Sequence, residues 1–174
     1  MAVFNTSRAG RNQDGYMESL IGNMYNNEKV FYKNGCGICG FGPEDIVNCF
    51  NAIRKIFYKI NQIRVHYIEI AVEKEHDVKK VVQLADRVSH QLWNYGYQTF
   101  YCVAEFDDCY LIAVAINSTS FVNGISFHDN NKHYVYIYNM IKREMPVDWK
   151  LEVEEKIFFN PNDGTGNYTH GYFA

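Results

Sequence analysis

Residues 97–117, YQTFYCVAEFDDCYLIAVAIN, read as a β-hairpin: two runs of aromatic, β-branched and small apolar residues meet at Asp107-Asp108. With a two-residue turn there, Phe106 faces Cys109, Glu105 faces Tyr110, Ala104 faces Leu111 and Cys102 faces Ala113. Side chains alternate along a strand, so Ala104, Leu111 and Ala113 share one sheet face as near neighbours. Phe100, Cys102, Phe106, Cys109 and Ala115 extend that apolar surface. A patch of this kind does not stay open to water. Its expected cover is the chain's own C-terminal strand and tail, or a second copy or other protein partner docked on it.

Outward from the hairpin, the N-terminal side opens with a strand at Ala2–Thr6, a helix from about Gly15 to Asn26 and an extended piece at Val30–Lys33. Gly42-Pro43-Glu44-Asp45 is a helix start, and Ile46, Phe50, Ile53, Phe57 and Ile60 recur at helical spacing, so this helix is expected to run to Gln62. A strand over 63–73 follows. Asp77 then caps a helix whose buried stripe is Val78, Val81, Val82, Ala85, Val88 and Leu92, ended by Gly96. Beyond the hairpin come a short strand at 125–128, then residues 131–143, where His133–Tyr138 alternates like a strand while Tyr134, Ile137, Tyr138 and Ile141 fit the helix chosen here, and a strand from Trp149 to Phe159. The fold class is therefore α+β: an antiparallel sheet of about five strands with helices mainly on one face. Residues 1–159 form one domain, and 160–174, with Asn160-Pro161-Asn162-Asp163-Gly164, form a turn-rich tail.

Four segments, in order, resemble the plasmid and transposon mobilisation relaxases, the HUH endonucleases that nick single-stranded DNA. Leu20-Ile21-Gly22-Asn23 through Asn27-Glu28-Lys29 is similar to that family's nucleophile helix, often LIxYxxNxEKT. Val65-His66-Tyr67-Ile68 is similar to its second strand. The hairpin takes the place of its HxHxxxN metal motif, and Asn117-Ser-Thr-Ser-Phe-Val-Asn-Gly-Ile-Ser-Phe-His128 resembles the NSxSFxDGxxxH that follows it. The resemblance spans about residues 1 to 140 and implies a relaxase-like sheet with a ferredoxin-like, RRM-like core.

Where the chain departs from that pattern, it loses the chemistry. Asn23 stands where the nucleophilic tyrosine belongs, and Ala104, Leu111 and Ala113 stand where three imidazoles belong. In a relaxase the tyrosine oxygen displaces a DNA phosphodiester oxygen, while a histidine-bound divalent cation offsets the charge that develops. An amide is not that nucleophile, and Ala and Leu offer no lone pair to a metal. The expectation is a degenerate relaxase-like domain with no catalytic residue, metal ligand or cofactor, serving as an accessory or interaction module. A non-catalytic single-stranded DNA binder is the alternative, and a metal-dependent nickase with relocated ligands a second. Tyr25, two positions after Asn23, is expected to point away from the site. His66 shares a strand face with Ile68, Ile70 and Val72 and reads as a core histidine, and His128 alone does not make a cation site.

Length and composition fit one soluble domain. At 174 residues and 47% hydrophobic the chain is long enough to bury roughly 70% of its unfolded surface. It has no cationic-plus-apolar leader and no apolar run near twenty residues, so a cytoplasmic location is expected. Net charge is −3, unlike a typical DNA-tracking module, yet residues 1–64 hold eight Lys/Arg against five Asp/Glu. Arg8, Arg11, Lys29 and Lys33 from this half are the candidate nucleic-acid contacts, with ordinary surface charge as the competing reading. Five cysteines without a leader suggest reduced thiols. Cys36-Gly-Ile-Cys39 has the spacing of a redox or zinc motif but no second unit, and reads as a loop coincidence.

Overall fold

The computed structural model describes residues 1–7, 15–40, 42–59, 62–127 and 131–153. Its elements run in the order β1 (Ala2–Ser7), α1 (Tyr16–Asn26), β2 (Val30–Cys36), α2 (Pro43–Ile56), β3 (Val65–Glu73), α3 (Val78–Asn94), β4 (Thr99–Glu105), β5 (Cys109–Asn117), α4 (Asn131–Glu144) and β6 (Leu151–Val153). The strands form one sheet in the order β2-β4-β5-β3-β1-β6, antiparallel except for β6 beside β1. The hairpin has the expected register, with Ala104 opposite Leu111, Cys102 opposite Ala113, and the Phe106 N–H donating to the Cys109 carbonyl at 2.9 Å.

The α+β class and antiparallel sheet are as expected, but the helices cover both faces. β4 and β5 are buried almost end to end, so their odd and even positions alike need cover. On one side Ile68, Ile70, Val72, Tyr101, Val103, Ile112, Val114 and Ile116 pack under α3 and α4. On the other, Val65, Tyr67, Phe100, Cys102, Ala104, Leu111, Ala113 and Ala115 pack under α1 and α2. The near-continuous apolar runs of β4 and β5 are the feature that requires both layers.

Local chemistry explains where the helices start and stop. Asp77 accepts the Lys79 N–H at 2.9 Å and starts α3, as expected. Asp86 on that helix accepts the hydroxyls of Tyr101 at 2.6 Å and Tyr32 at 3.0 Å, fastening α3 to β4 and the edge strand β2. Burial, then the hydrogen bond to Asp86, hold the Tyr101 hydroxyl protonated far above its ordinary range. Helix α2 ends at Ile56, six residues before the expected end at Gln62. Arg54, not a continued apolar stripe, occupies the interior there and donates to Asn51 Oδ1 at 2.9 Å, the Lys59 carbonyl at 3.0 Å and the Gln62 carbonyl at 3.3 Å. Those carbonyls belong to a turn, because a guanidinium fork reaches them only if the chain folds back. Ile53 and Phe57 are half-buried, and Ile60 lies outside the described residues.

The remaining differences lie after the hairpin. In place of a strand at 125–128 there is one isolated bridge, Thr119 with Ser126. The segment from Asn117 is instead a hydrogen-bonded plug: Asn117 Nδ2 donates to the Phe50 carbonyl at 3.1 Å and to Gln98 Oε1 at 2.8 Å, its Oδ1 accepts the Thr119 N–H, and Ser118 Oγ donates to the Ile63 carbonyl. Of the C-terminal strand, Leu151–Val153 is described, and 154–174, with the proposed domain end and tail, fall outside the described residues. No helix among the described residues is long and apolar enough to cross a membrane.

Asn117 ties α2 to the sheet through a fully buried amide. Asn117→Ala is expected to lower unfolding stability by about 1–3 kcal/mol, since it strands the Thr119 N–H and removes the donor to the buried Gln98 Oε1; urea unfolding followed by far-UV circular dichroism measures it.

Candidate functional site

The face bearing Ala104, Leu111 and Ala113 is the place to look for chemistry, because the hairpin and the N-terminal helix converge on it. All three side chains are 0% exposed. Met17, Leu20, Ile21 and Met24 of α1 and Ile46 and Phe50 of α2 lie over them. The cover is thus the chain's own, as one expectation held, but it comes from α1 and α2. The C-terminal strand β6 sits at the far edge beside β1, so it cannot reach this face. Within the monomer, Ala104, Leu111 and Ala113 are fully covered by these two helices.

The orientation of α1 corrects the expected placement of Tyr25. The helix turns Met17, Leu20, Ile21 and Met24 to the sheet. Tyr25 is four residues beyond Ile21 and so shares that side; its ring stacks on Phe100 with centroids 6.2 Å apart. Asn23, at the nucleophile position of the resemblance, is exposed. The side that Tyr25 takes is set by the buried stripe of α1, not by its angle to Asn23.

Reading β3 for its apolar residues missed the polar content of this face. Glu69 lies opposite Ala113 and Tyr67 opposite Ala115 in the β3–β5 register. Both are buried, at 3% and 1% exposure, and the Tyr67 hydroxyl donates to Glu69 Oε1. Burial, then the Glu69 charge and hydrogen bond, raise the Tyr67 hydroxyl well above its ordinary range, so it holds its proton and is no nucleophile. Cys102, on the same face, is pushed up to about 12, chiefly by burial, with Lys33 acting the other way. The signal in the sequence was period two: Tyr67, Glu69 and Ala71 alternate with His66, Ile68 and Ile70, so a carboxylate on this face was legible.

One buried carboxylate is not a metal shell. Divalent cations take several oxygen or nitrogen ligands; the β5 residue opposite Glu69 is Ala113, which offers only a methyl group, and the Tyr67 phenol two residues along β3 already donates to the carboxylate. His66 faces the other side, its ring 4.8 Å from that of Phe127 in the α3–α4 core. His90 is exposed on α3. The side chains of His128, His133 and His170 lie outside the described residues. Among the described residues one trio of ligand-bearing side chains comes together, Glu73, Glu75 and His76 in the turn after β3. Glu73 there is ion-paired with the N-terminal ammonium, and the His76 ring stacks on Trp149 at 4.4 Å.

Of the candidate nucleic-acid contacts, Lys29 and Lys33 are described and exposed, and Arg8 and Arg11 lie outside the described residues. The two lysines flank Phe31, itself 46% exposed, at the free edge of the sheet. Each ammonium already rests on a ring: Lys29 sits 4.5 Å from the Phe106 centroid and Lys33 3.9 Å from that of Tyr25. Lys33 also donates to the Tyr25 carbonyl at 2.9 Å.

No protein-family model and no curated protein sequence matches this chain. Its fold is shared with a solved structure from work on the molecular basis of vancomycin resistance transfer in Staphylococcus aureus. The TM-score is 0.56 at 12% identity, covering 87% of this chain and 97% of that one. The likeness is one of fold, and it extends over nearly the whole of both chains.

Two outcomes follow from the packing. Ala104→His is expected to cost about 2–4 kcal/mol, from overpacking and burial of an imidazole among hydrocarbon; the shift in urea midpoint at constant slope reads it. The Cys102 thiol ionises near its ordinary 9.0 in the unfolded chain and near 12 in the fold. The unfolded state therefore releases its proton first, and stability falls as pH rises from 9 towards 12, by about 1.4 kcal/mol per pH unit from this group. Cys102→Ala should flatten that part of the alkaline limb; an unchanged limb contradicts the assignment.

Proposed function

We propose that this chain is a relaxase-like domain without nicking activity, serving as an accessory or interaction module of mobilisation machinery. The observation that carries the reading is the state of the sheet face where the family's cation would sit. Ala104, Leu111 and Ala113 supply no lone pair, and α1 and α2 close over them with no exposed surface left. Nicking needs a phenolate equivalent aimed at a phosphodiester and a cation beside the leaving oxygen. Here the position for the first holds Asn23, turned to solvent, and the position for the second is filled with hydrocarbon. Support for a mobilisation origin comes from the four ordered segments resembling relaxases and from the fold shared with a protein of resistance transfer.

A second reading, single-stranded DNA binding without cleavage, is favoured by one feature: exposed Phe31 between exposed Lys29 and Lys33 on the edge strand. Stacking platforms flanked by cations are how sequence-tolerant single-strand binders work.

Supercoiled plasmid incubated with the protein and manganese is expected to stay supercoiled, and oligonucleotides to form no covalent adduct. Nicking that disappears in Tyr25→Phe would overturn the proposal in favour of a relocated nucleophile. A gel shift of single-stranded oligonucleotide across a salt series separates the readings. Binding that weakens with salt and with Lys29→Ala plus Lys33→Ala supports the DNA binder, and no shift at low salt supports the interaction module.

A further inference from the structure

The Cys36-x-x-Cys39 motif does not pair with itself. Cys36 ends β2 and is buried in the core beneath α3. Cys39, three residues on, is exposed and meets a different partner, Cys49 on α2, with the two sulfurs 3.3 Å apart. Two more contacts join the same residues: the Cys39 N–H donates to Cys49 Sγ at 3.3 Å, and the Cys49 thiol donates to the Cys39 carbonyl at 3.3 Å. The loop that carries Cys39 is held on both sides of it. Gln98 Nε2 donates to the Gly37 carbonyl at 2.6 Å, and the Gly42 N–H donates to Asp45 at 3.2 Å. Gly37 and Gly40 sit at φ +71° and +104°, and a Cβ at either would strike the Trp93 ring or Asp45, so the loop path leaves little freedom.

We propose that Cys39 and Cys49 form a redox-responsive dithiol whose substrate is a low-molecular-weight disulfide of the glutathione class. The sulfurs need only close from 3.3 Å to about 2.05 Å to bond, and exposed Cys39 is within reach of a soluble disulfide. In the first step the Cys39 thiolate attacks one sulfur of the small disulfide, forming a mixed disulfide and expelling one thiolate. In the second the Cys49 thiolate attacks Cys39 Sγ, forming the Cys39–Cys49 bond and expelling the second thiolate. Two protein thiols and one small disulfide thus become one protein disulfide and two small thiols, with the protein oxidised and the small disulfide reduced. Sharing hydrogen with Cys49, and then its charge, raises the Cys39 thiol, as expected for two sulfurs in direct contact.

The bond would staple the loop after β2 to α2, one of the two helices that cover the face of Ala104, Leu111 and Ala113. Oxidation then stiffens that cover, and reduction frees it. This inference stands independently of the absence of nicking activity.

The test uses the full chain equilibrated over a series of reduced-to-oxidised glutathione ratios, then alkylated and digested without reductant. The expected result is a peptide pair linking Cys39 to Cys49 that disappears with excess reduced glutathione, while Cys36, Cys102 and Cys109 stay reduced. The oxidised protein should melt about 5 °C or more higher than the reduced one, and Cys39→Ser should abolish that rise. In Cys49→Ser one glutathione should remain on Cys39 as a trapped mixed disulfide. A Cys36–Cys39 link, glutathione stably retained on wild-type Cys39, or no cross-link at any ratio would each overturn the proposal. Circular dichroism of the variants confirms that they fold.

Discussion

Two central strands that are apolar on both faces set the terms for everything else in this protein. β4 and β5 present mainly hydrocarbon upward and downward, and a sheet of that kind is stable only as the middle of three layers. Burial of both faces is what draws α1 and α2 to one side and α3 and α4 to the other. It also fixes the hairpin register, because a slip by one residue would exchange the two apolar sets and break the fit to both helix pairs.

The same constraint accounts for the chemistry of the covered face. A nicking site needs an open, hydrated cleft for a phosphodiester and a cation. Here the corresponding surface is interior, so every polar group on it must find a partner within the protein. Tyr67 and Glu69 meet that demand by bonding to each other, and Cys102 meets it by staying protonated. The buried pair gives the face a polar residue of a kind that binds no metal alone and supplies no nucleophile.

The segment after the hairpin has a structural role that does not depend on catalysis. Asn117 and Ser118 spend their hydrogen bonds on Phe50, Gln98 and Ile63, joining α2, the β4 entry and the β3 entry at one point. Removing this plug would unfasten three elements at once.

The sequence alone determined the local structure: the Asp107-Asp108 hairpin and its register, the Asp77 cap, and the lack of ligand atoms at 104, 111 and 113; between strand and helix over 131–143 it left both periods open, and the structure has the helix. These rest on turn chemistry, side-chain period and side-chain identity, which are properties of neighbouring residues. Tertiary structure decided what distant residues do to one another. It chose α1 and α2 as the cover, turned Tyr25 inward and Asn23 outward, put Arg54 where an apolar stripe was expected, and set Cys39 against Cys49 and not Cys36. Spacing along the chain cannot report such choices, because which faces meet depends on how whole layers pack, and a two-sided apolar sheet accepts helices only where both of its faces can be closed.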